Sequence, residues 1–496
     1  MPADFQFEAR IYPAHHERQA TQEMISSLSL SRAFRLSPAT TLALVGAGGK
    51  TTALFQLGKE FQQTSPLVLL TTTTHLGPEQ PTAADVHLIH KGNLTQTLQQ
   101  IHSTQGIVCL TSAWDDRTER WSGLDRETLQ GIAHYAREHT IPLIIEADGA
   151  RGRCLKAPAE HEPVIPPFCE TVIVVAGLGA LGKPLNETWV HRPERFAALS
   201  GSTIGEPIQS EAVLRLLCHP MGGRKGIPVA AKSHLLLTQA ETNEAQAVAN
   251  RMSLSLLDHF DSIAIAAKGE AFALPSHEMM ASPCPTPDFR QPFHLLAVHE
   301  PIAGIILAAG ASSRFGQPKP LLAWRGETLV HRAARLALEA DLQPVLVVCG
   351  ADGAQVAASV ADLPVQIVQN EAWQSGQSSS IKAALQVLGN KCGGAIFILA
   401  DQPFISIPLL QALVENHAKS LAAVIAPLVG DRRTNPVLFD RQTFPDLLHL
   451  EGDVGGRAIF GRFPPQWLTW HDERLPFDLD TPEDYRKLRE MDEHHQ

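Results

Sequence analysis

The chain is short of cysteine and of positive charge, and it has no apolar run long enough to span a bilayer. Its seven cysteines are scattered through 496 residues, odd in number and without a CxxC pair. That usage argues against a disulfide framework and a structural zinc site, and it fits a reducing compartment. The formal net charge of −11 argues against a nucleic-acid binder, which wants a basic face, and against electrostatic attachment to a membrane. Nucleotides are still admitted, because a few placed cations and a metal suffice to hold them. The start Met1-Pro2-Ala3-Asp4-Phe5-Gln6 lacks the basic stretch and apolar core of a signal peptide, so a cytoplasmic location is expected. No internal repeat is visible.

The length calls for two or more domains. A stretch rich in proline, Ser282-Pro283-Cys284-Pro285-Thr286-Pro287, reads as a linker over 281–300. It separates 27–280 from 301–496, and residues before about Ser27 have no evident role. Apolar runs alternate with amphipathic stretches on both sides. The first series is Thr41–Val45, Leu67–Leu70, Gly106–Leu110, Leu143–Ile145, Thr171–Ala176 and His234–Leu237. The second is Gly304–Leu307, Pro344–Cys349, Val365–Val368, Ala395–Ala400 and Ala422–Ala426. Such alternation predicts an α/β protein of two domains, each with a mainly parallel sheet.

The most specific stretch lies at the start of the second half. The run Gly304–Leu307 leads into Ala308-Ala309-Gly310-Ala311-Ser312-Ser313-Arg314, and Lys319 follows. Small residues from Leu307 to Ser313 let backbone amides approach an anion, and Arg314 and Lys319 add fixed positive charge for a triphosphate. This predicts a nucleotide-phosphate loop at the carboxyl end of a first strand. Further on, the wholly apolar run Ala395–Ala400 delivers Asp401, a candidate ligand for Mg²⁺. The plainer alternative is that Asp401 caps the helix expected after Ser406-Ile407-Pro408. Asp478 and Asp480 are candidates to complete the metal site, with Asp480 favoured, and Asp480 can also cap the last helix.

These motifs resemble the MobA-like nucleotidyltransferases. Ala308-Ala309-Gly310 followed by Lys319-Pro320-Leu321-Leu322 is similar to the molybdenum cofactor cytidylyltransferase branch, rather than the guanylyltransferase branch. Asn370–Ser380, with Trp373 and Gly376, resembles the family loop over base and sugar, which implies nucleotide contacts from Gly376 and Ser379. A plain helix start capped by Ser378 or Ser379 explains the same residues, and both readings can hold together. Arg432–Phe439 and Glu451–Arg457 resemble segments that hold the second substrate, implying roles for Asn435, Asp453 and Arg457. Thr434 stands where the family has glycine. Phe477–Tyr485 is similar to the family's ending. The resemblance runs from about Ile302 to Leu488. It implies a Rossmann-like α/β/α sandwich that transfers CMP from CTP to the phosphate of molybdopterin, with Mg²⁺ and release of pyrophosphate.

In the first half, Gly46-Ala47-Gly48-Gly49-Lys50-Thr51-Thr52 follows an apolar run, as a phosphate loop opening a helix would. Lys50 would reach phosphates and Thr51 a Mg²⁺, but Leu44 occupies the position where the usual loop has its first glycine. Glu146 and Asp148 end another apolar run, where a metal-binding or water-orienting carboxylate belongs; solvent-facing acids are the plainer alternative. ATP or GTP is the nucleotide class this predicts. The half resembles the YqeC-type accessory proteins of selenium-dependent molybdenum hydroxylases through Val45–Thr52, Thr71–His75, Glu146–Gly152, Lys156–Pro163 and His191–Glu194. That implies a P-loop-like accessory domain, with a molybdenum hydroxylase or its insertion chaperone as partner. Cys154, beside the acidic motif, reads as a buried or idle thiol. Two other readings stay open at this point. One is a non-catalytic carrier of the pterin cofactor; the other is a transferase that uses GTP or a sugar phosphate.

Overall fold

The structure, a computed structural model, describes residues 28–268, 289–310, 318–350 and 352–493. The chain divides into one compact unit spanning Ser27–His299 and another containing Glu300–Gln496. Among the described residues, no helix is long and apolar enough to cross a membrane.

The first unit is built on β1 (Thr41–Gly46), β2 (Leu67–Thr72), β3 (Val86–Ile89), β4 (Gly106–Thr111), β5 (Leu143–Glu146), β6 (Thr171–Gly177), β7 (Lys232–Thr238), β8 (Ser262–Lys268) and β9 (Phe293–His299). They form one nine-stranded sheet in the order β9-β8-β7-β6-β1-β5-β2-β4-β3. Every pairing is parallel except β8 with β9. The central strands are buried along their length, which is why they read as unbroken apolar runs. Helix α1 (Lys50–Gln62) follows β1 directly.

Strand β9 corrects the extent of the linker read as 281–300. Residues 281–288 lie outside the described residues, but Phe293, Leu295, Ala297 and Val298 are buried and pair antiparallel with β8. The prolines nearby masked a short edge strand. The cysteine reading also changes: Cys154 is buried but disulfide-bonded, while Cys109, Cys169, Cys218, Cys349 and Cys392 are free.

The second unit is a mixed sheet of β10 (Ile302–Ala308), β11 (Val345–Cys349), β12 (Gln366–Gln369), β13 (Gly394–Leu399), β14 (Val424–Val429), β15 (Arg432–Arg433), β16 (Val437–Asp440) and β17 (Gln466–Thr469). The order is β12-β11-β10-β13-β16-β14-β15, with β17 also on β14. The first four strands are parallel, whereas β16 runs antiparallel to both β13 and β14. The mainly parallel sheet expected here is present, with four of seven strand pairings parallel, and Val437–Asp440 inserts in reverse between two strands that the apolar pattern had identified.

Helices α2 (Leu329–Glu339), α3 (Gln377–Leu388) and α4 (Ile407–Ser420) pack on this sheet, and Leu488 of α5 (Pro482–Glu493) joins a separate cluster with Leu322, Trp324 and Leu329. Along β10 the side chains alternate as a strand requires. Ile302, Ile306 and Ala308 enter a core with Val330 and Ala334 of α2 and Leu409 and Leu413 of α4. Ala303 and Ile305 enter the opposite core with Ile381, Ala384 and Leu385 of α3. Two cores, one on each face, make this unit an α/β/α sandwich.

Candidate functional site

In the second unit the carboxyl ends of β10 and β13 open into a cavity of about 540 Å³. Leu307, Ala308, Ala309 and Gly310 line it from the end of β10, as do Lys319, Gly376, Gln377, Asp401 and Asp453. Leu307, Ala308, Ala309 and Gly310 thus sit where the sequence places a phosphate loop. Ala311, Ser312, Ser313 and Arg314 lie outside the described residues.

The charged centre is Lys319. Its ammonium Nζ lies 3.0 Å from Asp480 Oδ1 and 3.8 Å from Asp401 Oδ2. Burial, assisted by the carboxylates of Asp478 and Asp480, pushes the pKa of Asp401 up, while Lys319 pulls it down. Asp401 does not cap α4, because Ser406 holds the N-cap position. Nor does Asp480 cap α5: Asp484 Oδ2 accepts from the Thr481 amide at 2.8 Å, and Thr481 Oγ1 accepts from the Asp484 amide at 3.3 Å. This reciprocal cap leaves the Asp480 side chain for Lys319. Asp478 instead accepts from Gln402 Nε2 at 2.5 Å.

Gly376 is required by its surroundings. Its φ is +106°, and a Cβ there would stand 2.5 Å from the Asp453 amide nitrogen. Asp453 Oδ1 accepts from the Gln377 amide at 3.2 Å, so it tethers the start of α3 as well as lining the cavity. Ser379 does not line either cavity; its hydroxyl donates to Gly376 O at 2.8 Å and accepts from Asn370 Nδ2 at 2.8 Å. Ser380 lines the cavity in its place.

A second cavity, of about 340 Å³, shares Leu307, Gln377 and Leu399 with the first. Asn435 and Arg457 line it, together with Arg433, Thr434, Gln402 and Asp478. Asn435 and Arg457 therefore meet in one cavity while Asp453 belongs to the other. Thr434 is buried, and its amide donates to Pro427 O at 3.2 Å. Sequence reasoning missed Gln402 and Arg433; Gln402 stood next to Asp401 and was the available signal.

In the first unit, Gly46, Gly48 and Gly49 all have positive φ. A Cβ at Gly48 would reach 2.5 Å from the Gly177 nitrogen, so the loop packs backbone to backbone against β6. Lys50 is buried and turned inward. Its Nζ donates to Gly46 O at 2.7 Å and lies 3.3 Å from Asp148 Oδ1 and 3.9 Å from Glu146 Oε1. Asp148 also accepts from the Gly46 amide at 3.1 Å and from Lys156 Nζ at 2.8 Å. Lys156 continues to Glu162 at 2.7 Å, and Glu162 to Arg192 at 2.8 Å.

Lys50 thus meets Asp148, whereas Thr51 Oγ1 donates to Glu146 Oε2 at 3.0 Å. Thr52 is buried in α1. The acids are not solvent-facing: both are buried. Burial raises the pKa of Glu146 against the pull of Lys50 and Thr51. Burial opposes ionisation of Glu162, yet Arg192 and Lys156 hold it down at about 2. Burial, with Arg192 and Lys156 nearby, lowers His191 to about 4. Among the described residues, no group of three or more His, Cys, Asp or Glu side chains could hold a metal.

Two families match this chain. Residues 42–194 match the family described as YqeC protein, and 304–467 match the MobA-like NTP transferase domain. The protein YqeC of Escherichia coli (strain K12) is 34% identical over 196 residues, 38% of this chain and 72% of that protein. A protein of Paenarthrobacter nicotinovorans named nicotine blue oxidoreductase is 33% identical over 199 residues, 38% of this chain and 96% of that protein. A Bacillus mycoides (strain KBAB4) protein named probable molybdenum cofactor guanylyltransferase is 26% identical over 131 residues, 26% of this chain and 64% of that protein.

Proposed function

This chain belongs to the YqeC family through its N-terminal unit and to the MobA-like NTP transferases through its C-terminal unit, and on that premise we propose that the C-terminal unit transfers CMP from CTP to molybdopterin. The observation that carries the reading is Lys319, set between Asp401 and Asp480 at a cavity floored by the small residues Ala308, Ala309 and Gly310. A triphosphate needs such a floor for close approach and such a cation for neutralisation. The adjoining cavity with Asn435, Arg433 and Arg457 suits an anionic second substrate.

In the reaction, a phosphate oxygen of the pterin attacks the α-phosphorus of CTP. A new P–O bond forms, the bond from the α-phosphorus to the bridging oxygen breaks, and pyrophosphate leaves with the electron pair. No side-chain nucleophile is needed, so this chain contributes position and charge. Lys319 neutralises the phosphates, and Arg314 is assigned the same task. Gly376 and Gln377 border the nucleotide cavity, and Leu307 and Leu399 form the wall common to both cavities. Asp401 and Asp480 fit Mg²⁺, which is commonly held by one or two carboxylates plus substrate phosphates. A metal there would stabilise charge on the attacking and leaving oxygens.

For the N-terminal unit we propose nucleotide binding at Gly46–Thr52 in the maturation of a molybdenum hydroxylase. Because Thr51 pairs with Glu146, a metal beside Thr51 would take Glu146 as its nearest carboxylate. One chain carrying both units keeps successive steps at high local concentration. One relative is named as an oxidoreductase, but Lys319 with its two acids is suited to phosphoryl chemistry. The test is pyrophosphate release with molybdopterin and Mg²⁺ in the presence of CTP, GTP or ATP. CTP-dependent release lost in Asp401→Ala supports the reading. Release with GTP alone moves the chain to guanylyl transfer, and binding without release favours a carrier.

A further inference from the structure

Lys319 and Asp401 reach the first cavity on separate segments of chain, 319–324 and 401–404. Their charges stand 3.8 Å apart, so a reaction run by position needs the two segments held in register. Arg332 of α2 touches both segments, although it lines neither cavity. Its Nε donates to Pro403 O at 3.3 Å, two residues after Asp401. Its guanidinium lies over the ring of Trp324, 4.8 Å from the centroid and five residues after Lys319. Trp324 is buried and meets Phe404 edge to face, with centroids 5.6 Å apart. The 401–404 segment also carries the third charged residue with it, because the Leu479 amide donates to Asp401 O at 3.2 Å, next to Asp480.

The charge of Arg332 is answered locally rather than aimed at a phosphate. Its Nη1 lies 3.3 Å from Glu327 Oε1, and the same carboxylate meets Arg335 Nη2 at 2.7 Å and His331 Nδ1 at 3.0 Å. What Arg332 offers is shape. A guanidinium is planar, so one face can lie on an indole while an edge N–H is aimed at a carbonyl; an ammonium has no such face. Arg335, one turn further along α2, provides the contrast. It shares Glu327 through Nε and Nη2 and reaches Glu339 at 2.8 Å, yet among the described residues it makes no hydrogen bond to either segment.

We propose that Arg332 is a positioning residue for the transfer: by stacking on Trp324 and bonding Pro403 it fixes Lys319 and Asp401 relative to one another, without touching substrate or metal itself. The inference rests on the CMP-transfer reading above. Glu327 holds the guanidinium in place, so the carboxylate acts through Arg332 as well. A misplacement of about 1 Å at a reacting centre can cost about 10²-fold in rate, and loss of one support among several should cost less, about tenfold.

The test compares full chains of wild type, Arg332→Lys, Arg332→Gln and Arg335→Lys. It reads Tm, kcat for CTP-dependent pyrophosphate release with molybdopterin and Mg²⁺, and affinity for Mn²⁺ in the presence of CTP by electron paramagnetic resonance. Both Arg332 variants are expected to lose about tenfold in kcat and about tenfold in Mn²⁺ affinity. Arg332→Lys keeps a cation for Glu327 but has neither the flat face nor the fixed Nε donor, and Arg332→Gln covers the case in which Arg332→Lys does not fold. Arg335→Lys disturbs the same carboxylate and should lower Tm comparably while leaving kcat and Mn²⁺ affinity near wild type. Wild-type kcat and Mn²⁺ affinity in folded Arg332→Lys or Arg332→Gln overturn the assignment. So does an equal loss in Arg335→Lys, since the Glu327 cluster would then serve stability alone. Wild-type protein that binds Mn²⁺ with CTP but releases no pyrophosphate overturns the CMP-transfer reading instead, and the Mn²⁺ comparison still decides on Arg332.

Discussion

Lys156→Met should destabilise the N-terminal unit far more than an ordinary lysine substitution. Lys156 is buried, with Nζ 2.8 Å from Asp148, 2.7 Å from Glu162 and 2.6 Å from Gly149 O. The chain of charges is balanced, with Lys50, Lys156 and Arg192 against Glu146, Asp148 and Glu162. Methionine fills much of the volume but leaves a net negative charge among buried carboxylates. Breaking a buried pair by removing one partner costs about 3–5 kcal/mol. Asp148 keeps Lys50 and the Gly46 amide, and Glu162 keeps Arg192 through both guanidinium nitrogens. The loss should therefore fall near the lower end, about 3 kcal/mol, or roughly a hundredfold in the opening equilibrium. Native-state hydrogen exchange on the full chain reads this locally: peptides from β1 and β5 lose protection, while β13 in the other unit provides the reference. A loss below about 1 kcal/mol, the range of solvent-exposed pairs, would refute the claim that this network is desolvated.

Three further outcomes are expected. Lys319→Ala should lower kcat by about 10²–10³, the usual cost of losing a group aimed at developing charge, with little change in Tm because the pair opens to solvent; equal kcat would remove Lys319 from the mechanism. Gly376→Ala forces a Cβ against Asp453 at a positive φ, costing about 1–3 kcal/mol in a thermal melt and raising KM for the nucleotide; a melt identical to wild type would contradict the packing of that turn. Acidification should weaken the N-terminal unit in two windows. His191 has an ordinary value of 6.5 and about 4 when folded, so the unfolded chain binds the extra proton and stability falls as pH drops from about 6.5 to 4. Glu162 goes from 4.5 to about 2, so its contribution is present above 4.5 and lost as pH falls through 2. Glu146, raised by burial, acts oppositely above 4.5. Urea unfolding followed by β1 exchange across pH 7 to 3 should show the first loss, and a Glu162→Gln chain should lack the second.

Much of the fold was legible because parallel strands buried on both faces must be continuously apolar. Leu143–Ile145 and Thr171–Ala176 are recovered as β5 and β6 within a residue. Strands away from that environment were less visible. Val86–Ile89 sits at an edge and is only partly buried, and Ser262–Lys268 is built on alanine and reads weakly. The site residues near Asp401 were legible because a carboxylate closing an apolar strand has few structural uses. Lys156, Glu162 and Arg192 acquire their meaning only through ion pairs up to 30 positions apart, from Glu162 to Arg192, which no local pattern encodes. Ser379 was misplaced because helical geometry sends neighbouring serines to different faces: it bonds inward to Asn370, and Ser380 meets the cavity.

The central claim is tested most directly by one assay: pyrophosphate release by the purified full chain with molybdopterin, Mg²⁺ and each of CTP, GTP and ATP, beside Asp401→Ala. Release with CTP that disappears in the variant is the predicted result. Nucleotide binding with no release from any of the three would contradict cytidylyl transfer.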